Sequence, residues 1–151
     1  MAKRRKNGFD TTMLKKYGDA LDAAGGSAAI KRAVEGGMKS AKQEVIREVT
    51  SLMQPGNLPA GGKWSTGDTM AHLDKELTIK WEGNLARLGL GFVLQAGGLV
   101  SIFLMYGTPH HAPVAGLEDV LRGNKLRKIT RKEQEQAILK VLERLIQGEN
   151  R

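Results

Sequence analysis

Gly56 to Lys63 is the stretch with the strongest outward likeness to a chemical motif, because glycines followed by a lysine form the backbone cradle of a phosphate-binding loop. The spacing rules it out. Gly56 and Gly62 stand one residue too far apart, and Trp64 occupies the place of the magnesium-binding Ser or Thr. Gly89-Leu90-Gly91 begins a dinucleotide fingerprint, but Leu94 stands where its third glycine belongs. The adjacent His110-His111 are the best metal-ligand types in the chain, yet neighbours in an extended segment point apart and no cysteine or close carboxylate completes a set. His72 lies near Asp68 and Asp74 without a spacing that makes a catalytic group, and no Ser sits in a nucleophile-elbow sequence. The residues thus predict no catalytic site, no cofactor and no metal, and the chain reads as a non-enzyme.

The elements that hold these residues are organised around one uncharged block. From Leu88 to Leu117 there is no Asp, Glu, Lys or Arg. In a chain with 26% charged residues, that silence predicts burial. Apolar side chains alternate at Leu88, Leu90 and Phe92, then at Val100, Ile102 and Leu104, with Gly97-Gly98 between the runs. Period two with a Gly-Gly turn predicts a β-hairpin closing at Tyr106-Gly107-Thr108-Pro109. Leu77, Ile79 and Trp81 share one face of a preceding strand over His72 to Trp81, turned by Gly83-Asn84, so that at least three antiparallel strands are expected. Leu88, Leu90, Phe92, Ile102 and Leu104 are the expected core.

Helices flank this block. Met13, Leu14, Tyr17, Leu21 and Ala24 fall on one face of a short helix capped at Asp10 or Thr11. Ser27 caps the longest helix, whose stripe Ile30, Val34, Met38, Ala41, Val45, Val49 and Leu52 runs to the stop at Gln54-Pro55. Gly36-Gly37 inside it predicts either a bend or a close backbone contact. Pro55 to Gly67 reads as a loop, in which Trp64 either folds back over the edge of the core or anchors a neighbouring subunit. Leu117, Val120 and Leu121 suit a short helical turn, and Thr130 to Glu133 forms a capping box before the apolar face Ile138, Val141, Leu142, Leu145 and Ile146. The sum is an α+β domain: a small antiparallel sheet packed by a long helix in the N-terminal half and by a C-terminal helix. Residues 1–9 are expected to be a basic flexible arm and 10–151 a single domain.

The net charge of +8 is concentrated at the ends: eleven Lys/Arg against six Asp/Glu over Met1 to Gln54, and eight against four over Lys125 to Arg151. The middle is neutral. Lys3, Arg4, Arg5 and Lys6 are either a solvated tail or an electrostatic contact, with nucleic acid, an acidic protein or anionic lipid as possible partners. No cysteine is present, so disulfides and thiolate metal sites are excluded. No hydrophobic segment of signal-peptide type follows the basic start, which predicts folding in the cytoplasm.

From Ala28 to Gln147 the order of elements resembles the small tail-completion or neck proteins of tailed bacteriophages and phage-tail-like particles. Ser65-Thr66-Gly67-Asp68 matches the loop ending of that family, and Tyr106-Gly107-Thr108-Pro109, followed by Pro113, matches its aromatic-Gly-Thr-Pro motif. Ile102 to Pro109 is the most specific piece. Two departures leave the subfamily open: Leu104 stands where many relatives carry an acid, and Ala112-Pro113-Val114 replaces a Pro-Phe-Leu segment. The resemblance implies a non-enzymatic virion subunit that forms a ring, hexameric, at the head-proximal end of a tail. Such a ring would be assembled in the host cytoplasm and would join or terminate the tail. Its implied partners are further copies of the chain, the tail tube and the head connector, with non-specific proximity to DNA and no membrane. Trp64, Thr66, Gly67, Tyr106, Gly107, Thr108 and Pro109 are the implied subunit-interface candidates. Two other classes compete: a membrane protein of holin type with a span near residues 88–106, and a basic nucleic-acid-binding module.

Overall fold

The computed structural model describes Asp19 and residues 27–63, 65, 67–94 and 98–148. The basic arm, the short helix over Asp10 to Ala24 apart from Asp19, Trp64, Thr66 and Gly97 lie outside the described residues.

Helix α1 (Ser27–Leu52) starts and stops where the sequence places it, and two short 3-10 turns, Pro55–Asn57 and Pro59–Gly62, carry the chain through the loop. A single helical turn α2 (Asp68–Ala71) precedes strands β1 (Ile79–Glu82) and β2 (Leu85–Leu88). These pair antiparallel, with Ile79 opposite Leu88 and Glu82 opposite Leu85. Helices α3 (Val100–Tyr106), α4 (Leu117–Arg122) and α5 (Asn124–Gly148) complete the chain. The fold is α+β, with the small sheet packed against α1 and with α5 lying along α1.

The pair α1 and α5 is the frame. Glu48 and Lys125 form an ion pair at 2.8 Å, and Gly37 meets Gln134 farther along, so the two helices run antiparallel. A Cβ on Gly37 would lie 2.8 Å from the Gln134 Cα, closer than real contacts permit, whereas one on Gly36 would meet open space. Gly37 therefore serves as the close backbone contact, and α1 continues through it. The centre of the core lies at the other end of this frame. Val45, Val49 and Met53 from α1 meet Leu73, Val114, Leu117, Val120 and Leu121. Leu117, Val49 and Val120 are fully enclosed, each worth about 1.5–3 kcal/mol of apolar transfer.

Trp81 ties the sheet to α1. Its Nε1 donates to Glu35 Oε1 at 2.8 Å, and the Lys31 ammonium lies 5.3 Å from its ring. Residues 77–81 alternate between half-buried and exposed, as the pattern predicts. The rest of the expected strand is shorter than read: before Ile79 only Leu73 pairs, through an isolated antiparallel bridge to Phe92.

The predicted hairpin requires correction. Of its first arm only Leu88 lies in a strand, the end of β2, and Phe92 makes the isolated bridge to Leu73; its second arm, Val100 to Tyr106, is the helix α3, so the sheet has two strands among the described residues rather than three. The reason lies in the residues between the alternating ones. Leu99, Phe103, Met105 and Tyr106 are also apolar, and an apolar run of this length fits a helix as well as a strand. Leu90, Phe92 and Leu104 pack at the edge of the core, and Leu88 and Ile102 are half-buried, so none of the five forms its centre. The capping box is also unused. Helix α5 begins at Asn124, where Asp119 Oδ1 accepts the Lys125 N–H at 3.2 Å, and Thr130 and Glu133 sit inside the helix. No helix among the described residues is long and apolar enough to cross a membrane, and the ends of the 88–106 stretch fall in different elements, Leu88 in β2 and Val100–Tyr106 in α3.

Candidate assembly surface

Lys42 shows how tightly the sheet side is tied to α1. It lies on the apolar stripe of that helix, 3% exposed, and its Nζ donates to Asp74 Oδ2 at 2.9 Å and to the Glu76 carbonyl at 2.5 Å. The hydrogen bond from Lys42, helped by the Glu76 N–H that donates to the same carboxylate, holds the Asp74 carboxyl below its ordinary value against the opposing effect of burial. Asp74 N–H also bonds the Gly91 carbonyl at 2.8 Å, so the ion pair anchors the start of the uncharged block.

Beyond that anchor the block turns outward. Ser101 is the sole polar side chain of α3 apart from the Tyr106 phenol, and it faces inward, 2% exposed, donating to the Gly98 carbonyl. Leu99, Phe103 and Tyr106, spaced for one helical face, are 55%, 51% and 49% exposed. Val93, Leu94 and Val100 are exposed to a similar degree. The helix is inverted relative to an ordinary surface helix, whose polar side faces water. Absence of charge here has therefore not meant burial within one chain.

Val100 and Leu104, on another side of α3, line a groove of about 630 Å³ whose opposite wall includes Met53, Leu58 and Met70. Gly67 and Ser65 stand on the same groove, as does His111. The two stretches singled out in the sequence, the loop ending at Gly67 and the segment after Tyr106, thus meet around one depression. In the loop Ala60 holds a left-handed φ of 53°, a strained conformation for a residue with a side chain.

The Tyr106-Gly107-Thr108-Pro109 motif has a local structural cause. Gly107 ends α3 at a φ of 78°, its N–H bonded to the Phe103 carbonyl at 2.8 Å, and a Cβ there would lie 2.9 Å from the His111 carbonyl oxygen. Thr108 closes the turn. Its N–H donates to the His111 carbonyl at 2.8 Å, and its Oγ1 accepts the N–H groups of His110 and His111. The Val114 N–H then bonds the Leu104 carbonyl, delivering Val114 to the core. Both histidines lie exposed in this turn. Of the interface candidates, Gly107 and Thr108 shape the chain, while Tyr106 and Pro109 are exposed. The Tyr106 hydroxyl accepts a hydrogen bond from Arg122 at 2.8 Å. Lys3, Arg4, Arg5, Lys6, Trp64 and Thr66 fall outside the described residues.

Sequence reasoning missed Leu99, Val100 and Phe103 as surface residues. The available signal was the same continuity of apolar residues that makes α3 a helix. Comparison with family models, with curated proteins and with solved structures returned no match.

Proposed function

We propose that this chain is a structural virion subunit that assembles into a hexameric ring at the head-proximal end of a phage tail or phage-tail-like particle, where it joins or terminates the tail. The observation that carries the assembly part is the outward apolar face of α3, with Leu99, Phe103 and Tyr106 left half exposed on a domain whose core is already closed elsewhere. A contiguous exposed apolar patch marks an interaction surface. The place in the tail rests on the resemblance carried by Ser65 to Asp68 and by Tyr106 to Pro109. A ring subunit needs a rigid frame and surfaces reserved for neighbours. The α1 and α5 pair supplies the first, and the groove between the loop and α3 supplies a candidate for the second.

Imaging of the purified full-length protein by negative-stain electron microscopy tests the reading. Closed annuli with six repeats are expected, and a field of isolated monomers at micromolar concentration would refute it. Trp64→Ala is expected to weaken the ring if the loop reaches a neighbour. An unchanged mass by light scattering would remove Trp64 from the interface.

A further inference from the structure

We infer that the ring is sealed by a head-to-tail contact in which the α3 ridge of one copy, Leu99, Phe103 and Tyr106, seats in the groove lined by Met53, Leu58, Met70, Val100 and Leu104 of the next. This rests on the proposed ring and names its seam.

Charge selects a second copy as the occupant. Each chain carries +8, so two copies repel over most of their surfaces, while Leu88 to Leu117 contains no Asp, Glu, Lys or Arg. An acidic partner would be drawn to the basic ends instead. The ridge comes from that uncharged stretch, and the groove is apolar apart from a few small polar residues, His111 and one acid, Asp68, so a like-charged copy approaches there at low electrostatic cost. The extent of the ridge is also adequate. Aromatic side chains bury about 150–250 Å² each. Half-exposed Phe103 and Tyr106 with their aliphatic neighbours offer roughly 300–400 Å² on the ridge side, enough for the apolar core of an interface whose standard size, polar rim included, is about 800 Å² per partner.

Geometry decides how the copies meet. Leu99, Phe103 and Tyr106 fall on one side of α3, and Val100 and Leu104 on another, about 100° of helical rotation per residue separating successive side chains. Ridge and groove are therefore different surfaces. A ridge that enters a neighbour's groove leaves its own groove free for the next copy, the arrangement that closes rings by rotation. The groove, at about 630 Å³, is large enough to admit an aromatic side chain and an aliphatic neighbour.

The chain contains no cysteine, which permits a clean cross-linking test. Phe103→Cys places a thiol on the ridge and Thr69→Cys one in the groove wall. Mixing the two single variants under mild oxidation is expected to give a disulfide-linked dimer, with little from either alone, and the double variant a ladder up to the full ring. Phe103→Ser and Leu99→Gln are each expected to reduce the assembly to monomers by light scattering while leaving the far-UV circular dichroism spectrum unchanged. Assemblies that persist in both variants without mixed cross-links would overturn the seam and leave the ring reading standing. Linking of Phe103→Cys to itself would replace the head-to-tail contact with a two-fold one. A wild-type chain that stays monomeric would overturn both seam and ring.

Discussion

Two regions of the domain use apolar residues in opposite ways. Along α1 and α4, Val45, Val49 and Val120 stand among charged neighbours in the sequence and are enclosed, as is Leu117 at the very end of the uncharged block. In α3, residues from an entirely uncharged stretch leave Leu99, Phe103 and Tyr106 half in water. The first region buries its apolar side chains by folding; the second leaves them half exposed, and the proposed assembly rests on that face. A lack of charge along a sequence therefore does not by itself report how deeply a segment lies in the folded chain.

The sharpest way to break the comparison is to cut into the enclosed region. Leu117→Ala is expected to cost about 3 kcal/mol or more, since it combines lost transfer energy with a cavity, and chemical denaturation of the monomeric protein measures it. The Lys42–Asp74 pair tests what the same core tolerates in charge. Asp74→Ala leaves an ammonium that water cannot reach and is expected to cost about 3 kcal/mol, whereas Lys42→Met leaves a partly hydrated carboxylate and should cost about 1 kcal/mol. Equal losses would show that Lys42 reaches solvent when unpaired. Because the folded Asp74 carboxyl is depressed, its contribution is present in full above the ordinary aspartate range and disappears as pH falls through the folded value. The acid side of a stability-versus-pH curve should accordingly be shallower in Lys42→Met than in wild type.

Gly36 and Gly37 sharpen the contrast within two consecutive residues. Gly37→Ala forces α1 and α5 apart and is expected to destabilise by about 1–3 kcal/mol, while Gly36→Ala faces open space and should stabilise by about 0.5–1 kcal/mol through helix propensity. Thermal melts of the two variants, shifted in opposite directions, would verify the crossing point. The smallest effect belongs to the other region: Phe103→Ser in the isolated monomer should change stability by no more than about 0.5 kcal/mol.

Much of the frame could be read from the residues. The limits of α1, the stripe through Val45 and Val49, the Gly83-Asn84 turn, the alternation up to Trp81 and the short helix at Leu117 all follow from local periodicity and turn chemistry. The errors arose where a local signal had two solutions. The run from Val100 to Tyr106 alternates only if its intervening apolar residues are ignored, and tertiary context chose the helix. Thr130 to Glu133 can cap a helix, but the Asp119 side chain supplies a partner six residues earlier in the chain than Lys125, so α5 starts ahead of it. The groove was illegible for another reason: Met53, Met70 and Leu104 are far apart in sequence, and only the folded path through the loop gathers them.

The turn after α3 bears on how a genetic screen of this protein should be scored. Gly107 tolerates no side chain where it sits, and the residues beyond it are steered back to Val114 by Thr108. Substitutions at these two positions would re-aim the whole return path and lower the yield of folded protein. A map of defective alleles would peak there, and the peak would mark a pivot of the chain rather than a binding residue.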